Sequence, residues 1–330
     1  KGNILRSLNI DEAKAVIDRL LAKGVESVAV CFLNSYANPI HEQKIKELIH
    51  QKYPHMPVTI SSELIPMIKE YERTSESVVN AYIQPVVRRY LESLTGTLHR
   101  IGVKAPLLVM TSSGGMMSAE ASKEKPLYMI ECGPAAGVVG SNYLSQRLGI
   151  PNVIALDMGG TTTKASVIVD GQVSRAPEYE VGAGISVASR LCTGGGYVIR
   201  VPSIDIAEIG AGGGSKLWVD AGGALHVGPR SAGAVPGPAC YDLGGEEATL
   251  TDANVVLGYL NPEYLAGGAV RLKADKAYRA IAEKVAQPLH MSPTEAAYGG
   301  YMIANSNMIR AIRAVSTERG RDPRDFVLLA

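Results

Sequence analysis

The sequence predicts an α/β protein built from mixed sheets with flanking helices, and three observations carry that expectation. Helix-spaced and strand-like apolar segments alternate from Ile10 to Ser61, as in a sheet covered by helices. Two strand-like runs, 153–156 and 165–169, flank a short glycine- and threonine-rich turn. The composition, 46% hydrophobic and 20% charged, is that of an ordinary globular protein.

Taken in order, Asn9 caps a helix whose apolar positions Ile10, Ala13, Val16, Ile17, Leu20 and Leu21 keep helical spacing, and Gly24 ends it. Residues 27–33 read as a buried strand, 41–53 as a second helix between Pro39 and Pro54, and 58–61 as a short strand. A long helix is predicted from Glu72 to Arg100, with Val78, Val79, Tyr82, Val86, Val87, Tyr90, Leu91 and Leu94 on its apolar side. Pro85 should kink or interrupt it. Glu70 and Arg73, at its start, read as surface or ion-pairing groups. Strand 106–110 leads into the polar turn Thr111–Gly115, at a carboxyl end where ligands of open α/β sheets bind. Gly133 stands at the start of a small-residue helix whose amino end favours anions. Asp170-Gly171 predicts a tight hairpin turn. From Gly182 to Gly245 glycine-rich turns, including 194–196 and 210–214, separate short apolar runs. Helices then return over 275–286 and 293–319, with Arg310 and Arg313 on one face.

Charge and cysteine usage exclude several classes. A net charge of +1 gives no electrostatic case for nucleic acid or an anionic membrane. Apolar runs such as 28–33 are too short to span a bilayer, and no charged-then-apolar leader opens the sequence, so a cytoplasmic location is expected. Cys31, Cys132, Cys192 and Cys240 are scattered and read as free thiols. The six histidines show no metal-ligand spacing. The chain begins without Met and stops inside an apolar run, 326–330, which suggests a piece of a longer polypeptide.

The sharpest chemical signal is the run Asp157-Met-Gly-Gly-Thr-Thr-Thr-Lys164. Gly159 and Gly160 let backbone N–H groups approach an anion, and the hydroxyls of Thr161, Thr162 and Thr163 can donate to phosphate oxygens. Asp157 is placed to hold Mg²⁺, through water because that ion keeps much of its hydration shell. Lys164 adds a positive charge. An isolated D-x-G-G would be a plain turn; its setting between two strands favours phosphate. Gly212, Gly213, Gly214 and Ser215 form a second candidate that could approach phosphate or adenosine, with a plain structural turn as the alternative. Gly214-Ser215-Lys216 fails the Walker pattern, and Gly210-Ala-Gly212 lacks the acidic partner of a dinucleotide fingerprint. Asp252 reads as the structural cap of a helix over 253–257.

The Asp157 run resembles the phosphate motif of the actin/sugar-kinase/Hsp70 ATPase superfamily. Leu64–Thr74, Asn80-Ala-Tyr82, Thr111–Gly115, Glu131–Gly137, Glu208–Ser215, Gly228–Gly233, Pro236–Tyr241 and Thr251–Asn254 resemble, in order and over nearly the whole chain, the hydantoinase A/5-oxoprolinase family. The resemblance implies actin/Hsp70-like (ribonuclease H-like) lobes, with 1–125 completing the family's amino-terminal domain and 126–330 forming the core domain. It implies ATP and Mg²⁺ as cofactors, a cyclic amide whose oxygen is phosphorylated, and a hydantoinase B-like partner subunit. A ketone carboxylase subunit and a non-catalytic nucleotide-binding module remain as alternatives. Family members carry a further D-x-G-G-T motif nearer the amino terminus and a glycine-rich segment after D-P-R-D-F. Here Asp322–Phe326 is present and those two motifs are not. Many relatives have aspartate after the threonine run; Lys164 points to the N-methylhydantoinase and acetophenone carboxylase branch.

Overall fold

A computed structural model describes residues 2–181, 196–268 and 270–330. Cys192 and the glycine turn at Gly194 and Gly195 lie outside the described residues. The chain divides into two compact units: one holds 2–136, 175–181 and 196–204, the other 137–174 and the described residues within 205–330. The first unit therefore reaches past 125 and takes back two later segments.

In the first unit, helix α1 (Ile10–Leu21) starts where Asn9 accepts the Glu12 N–H at 3.2 Å, and Gly24 leaves it at φ +73°. Strand β1 (Val28–Val30), helix α2 (Ile40–Lys52) and strand β2 (Val58–Ile60) follow. The two strands pair in parallel, Val28 with Val58, and bury Val30, Val58 and Ile60 against Ile17, Ile45 and Ile49.

Helix α3 (Glu70–Arg100) runs 31 residues without interruption. Pro85 offers no N–H to the Ala81 carbonyl one turn back, but the Ser27 hydroxyl donates to that carbonyl at 2.6 Å, so no acceptor is orphaned. The expected apolar side is split: Val78, Tyr82, Val86 and Tyr90 are each more than half exposed, while Leu91 is buried and Val79 packs with the core of Leu64 and Leu127. The rest of the buried face is polar, with Arg73, Glu76, Asn80 and Gln84 beside Ala81. Arg73, Asn80 and Gln84 are held there by specific partners. Arg73, only 1% exposed, donates to Ser61 Oγ (3.1 Å), Met67 O (2.8 Å) and Phe32 O (2.7 Å), which overturns its reading as a surface residue. Asn80 donates to Thr59 Oγ1 at 2.8 Å and accepts the Leu127 N–H at 3.1 Å.

Strands β3 (Leu108–Met110) and β4 (Met116–Ser118) form an antiparallel hairpin. The Thr111–Gly115 turn is thus the tip of that hairpin, with Thr111 and Ser112 buried and the Ser112 hydroxyl donating to Tyr128 O at 2.8 Å. It is not the open carboxyl end of a parallel sheet.

Helix α4 (Cys132–Leu148) leads to the sheet of the second unit. That sheet contains β5 (Val153–Met158), β6 (Thr163–Val169), β7 (Ala207–Ile209) and, at the end of the chain, Val327–Leu329, in the order β7, β6, β5, Val327–Leu329. Strand β6 is antiparallel to both its neighbours, while Val327–Leu329 is parallel to β5. This is the strand arrangement expected of a ribonuclease H-like lobe. Asp170 (φ +50°) and Gly171 (φ +71°) make the two-residue turn after β6, as their sequence predicts.

The hairpin of β8 (Ser215–Val219) and β9 (Leu225–Ser231), with helices α5 (Leu250–Val256), α6 (Ala274–Ile281) and α7 (Pro293–Val315), completes the unit. Ser292 and Glu295 form a capping box at the start of α7, with Pro293 at the first helical position. Ala311 and Val315 of α7 pack on Ile154, Ala165, Val167 and Ala207 of the sheet. Its earlier residues Ala296, Ala297 and Ala304 join Leu217, Leu250 and Ile281 in a second core. Among the described residues no helix is long and apolar enough to cross a membrane.

Candidate phosphate loop and its glycine clasp

Asp157 stands near the end of β5, cross-strand from Lys164, and the residues between them close a tight connection in which the Gly159 N–H donates to Thr162 O at 2.9 Å. Residues 157–161 are all exposed. Gly159 and Gly160 are not in the left-handed region. A Cβ on Gly160 would meet nothing within 4 Å, and one on Gly159 only Thr162 O at 3.7 Å. Neither backbone conformation nor packing among the described residues therefore demands glycine at these two positions. What the absent side chains leave is an open cradle of backbone at the end of a buried strand, which fits an anion brought close to the main chain.

Behind the cradle lies residues 210–215, and here glycine is demanded by the chain itself. The Gly213 N–H donates to Gly159 O at 3.0 Å and the Gly214 N–H to Gly160 O at 2.6 Å. A Cβ on Gly212 would stand 2.7 Å from Gly160 C and O and from Thr161 C; one on Gly214 would stand 3.0 Å from Gly160 O and Ser231 Oγ. Ser215 is buried, and its Oγ accepts the Gly212 N–H at 2.8 Å. Of the two readings of these glycines, the contacts support the structural turn: they approach the loop, as a clasp. Thr251 fixes that clasp from the next helix: its N–H (2.8 Å) and hydroxyl (2.9 Å) both donate to Gly213 O.

The three threonines diverge. Thr161 is exposed, and Thr162 is half-buried with its hydroxyl accepting from Lys164 Nζ at 2.7 Å. Thr163 is fully buried and donates its hydroxyl to Ala211 O, so the reading of it as a phosphate donor is corrected to a structural tie between β6 and the clasp. Lys164 also pairs with Glu208 of β7 at 3.0 Å, so its charge is met within the sheet. Gly133 belongs to the first unit, exposed in the first turn of α4.

Asp252 is structural, though not as the cap residue itself. Thr249 is the N-cap of α5, and Asp252 is the third residue of its capping box. Its fully buried carboxylate accepts from the N–H groups of Ala239 (3.2 Å), Cys240 (2.8 Å) and Thr249 (3.0 Å) and from the Thr249 hydroxyl (2.7 Å). Burial first, and then this neighbouring carboxylate, push the Cys240 thiol far up, which removes it as a nucleophile. Among the described residues no group of three or more His, Cys, Asp or Glu is placed to hold a metal.

Sequence reasoning missed Glu76 in the first unit. It is fully buried in α3, accepts the Arg200 N–H through Oε1, and leaves Oε2 without a hydrogen-bond partner. Burial raises its pKa to about 7. The buried polar face of α3 could not be found from apolar periodicity, because helix spacing alone assigns the apolar stripe to the core.

Comparison with known families decides the assignment: the hydantoinase/oxoprolinase model matches residues 73–330, and the model of that family's N-terminal region matches 1–53. The chain belongs to the hydantoinase/oxoprolinase family. An uncharacterised protein of Methanocaldococcus jannaschii is 46% identical over 99% of this chain and 48% of its own length. Caprolactamase subunit alpha of Pseudomonas jessenii is 40% identical over 97% of the chain and 44% of its own. The solved structure of ATP-dependent caprolactamase from that organism superposes with a TM-score of 0.67 at 38% identity, over 99% of this chain and 45% of its own. The nucleotide-free structure of acetone carboxylase, an enzyme of ATP-dependent acetone carboxylation, superposes with a TM-score of 0.84 at 29% identity, over 98% of this chain and 44% of its own. The chain thus spans about half the length of the curated relatives it matches.

Proposed function

We propose that this family member forms the phosphate-gripping part of an ATP-dependent enzyme that activates the oxygen of a cyclic amide for ring opening. The observation that carries the proposal is the pair Gly159 and Gly160, exposed at the end of β5 where nothing among the described residues requires glycine. Membership of the hydantoinase/oxoprolinase family and the resemblance to an ATP-dependent caprolactamase point the same way.

ATP, when bound, supplies the phosphoryl group that turns an inert amide oxygen into part of a leaving group. The chain's own residues do the holding. The N–H groups of the Gly160–Thr161 stretch and the Thr161 hydroxyl present donors to phosphate oxygens. Asp157 would hold Mg²⁺, which would neutralise charge on the phosphate oxygens. Lys164, anchored by Glu208, fixes the Thr162 hydroxyl, and the clasp from Gly212 to Ser215 keeps the loop from collapsing backwards. A hydantoinase B-like subunit is the proposed partner, and the cytoplasm the proposed location.

A second reading is an ATP-dependent ketone carboxylase subunit, favoured by the higher TM-score to acetone carboxylase, 0.84 against 0.67. Titrating the chain with a non-hydrolysable ATP analogue tests what both readings share. Saturable binding that needs Mg²⁺ and is lost in Asp157→Ala is expected; binding indifferent to that substitution would sink both. ATP consumption stimulated by lactams and hydantoins supports the first reading, whereas stimulation by ketones with bicarbonate alone replaces it with the second.

A further inference from the structure

A cavity of about 480 Å³ in the second unit lies beside the clasp, not at the mouth of the loop. Gly210 and Ala211 form part of its wall and run directly into Gly212, while Ile303, Asn307 and Arg310 of α7 face it from one side of the helix. Its volume falls in the range of small-molecule sites, about 300–1,000 Å³.

The polar groups around it are mostly spent. The Trp218 and His226 rings line the cavity and stack at 4.5 Å between centroids and 20° between planes. The indole N–H donates to Gly228 O at 3.0 Å, and His226 Nε2 is 2.6 Å from Asp220 Oδ2. Asn307 donates to Val227 O at 3.3 Å. The Arg310 guanidinium is the exception: among the described residues it makes no hydrogen bond or ion pair, and none of those lining the cavity is acidic. An aromatic wall already locked in place, an apolar floor and one uncompensated planar cation form a matched set of recognition elements.

We infer that this cavity binds a small organic anion with a flat or apolar body. Its carboxylate pairs with Arg310, and its body lies against Trp218 and the aliphatic wall. The inference stands on this cavity alone and does not require the Asp157 loop to bind phosphate.

Trp218 is the only tryptophan of the 330 residues, so its fluorescence reads the site directly. The test titrates the whole chain with benzoate and with benzamide, its uncharged isostere, following Trp218 emission and, in parallel, calorimetric heat. Benzoate is expected to saturate, and benzamide to bind about tenfold more weakly or worse, the value of a lost charge-assisted pair. Arg310 is exposed, so Arg310→Gln should fold normally and lose the preference for benzoate, while Arg310→Lys keeps part of it. The inference is overturned if benzoate up to about 10 mM gives neither a saturable emission change nor heat, or if Arg310→Gln binds it like the wild type.

Discussion

Replacing Gly212 by alanine isolates the clasp from everything a ligand does. The new Cβ would stand 2.7 Å from Gly160 C and O and from Thr161 C, all backbone atoms that cannot rotate away. Relief to ordinary van der Waals contact requires the clasp and the loop to part by about 0.7 Å or more. The bond from Gly213 N–H to Gly159 O, now 3.0 Å, would then pass beyond hydrogen-bonding distance, and the shorter one from Gly214 to Gly160 would weaken. Overpacking costs about 1–3 kcal/mol, and each hydrogen bond contributes about 1 kcal/mol net, so a destabilisation of roughly 2–4 kcal/mol is expected. Trp218 lies in the same unit and is the chain's only tryptophan, so urea unfolding followed by its emission reports that unit directly. The companion Gly160→Ala, with open space around its Cβ, should unfold within about 0.5 kcal/mol of the wild type. Equal midpoints for Gly212→Ala and the wild type would refute the argument that packing, not a ligand, selects glycine at 212.

Three further outcomes follow from the buried polar groups. Glu76 has its pKa raised by burial from 4.5 to about 7, so its contribution to stability is full below 4.5 and is lost as pH rises through about 7. Glu76→Gln should flatten the pH dependence of unfolding across that window, removing a slope worth on the order of 3 kcal/mol; an unchanged slope contradicts the assignment. Asp252→Ala strands three buried N–H groups and the Thr249 hydroxyl, and should cost about 3–5 kcal/mol by thermal or urea unfolding, with Asp252→Asn milder; a loss under about 1 kcal/mol would show the carboxylate to be dispensable. Ser27→Ala leaves the Ala81 carbonyl without its donor opposite Pro85 and should raise amide exchange in the middle of α3, by about 1–2 kcal/mol of local stability; uniform exchange along the helix would deny Ser27 that role.

Local signals in the sequence located most of the elements. The Asn9 cap, the Asp170-Gly171 turn and the strand–turn–strand around Asp157 stand where their chemistry places them, because each is decided by neighbours in sequence. The polar face of α3 was not legible: Arg73 is buried because Phe32 O, Ser61 and Met67 O accept from it, and all three lie outside the helix. Helical spacing could only assign the apolar stripe to the core. The two glycine runs were legible as special but not as different. Missing side chains at Gly159-Gly160 and at Gly212–Gly214 look alike in a sequence, and only the distances show that the second run is crowded by the first. Asp252 shows the same limit on a smaller scale: its structural role was legible, and its place in the capping box was not.

The central claim is that the open cradle of Gly159 and Gly160 exists for a nucleotide phosphate. The most direct measurement is isothermal titration of Mg²⁺·ATP into the wild-type chain and into Gly159→Ala/Gly160→Ala, with urea unfolding of both followed by Trp218. The account predicts nearly equal unfolding midpoints and an affinity at least about tenfold lower in the double variant, since two methyl groups would then stand where the phosphate meets the backbone. Equal affinity in the two proteins, or no binding to the wild type, would contradict it.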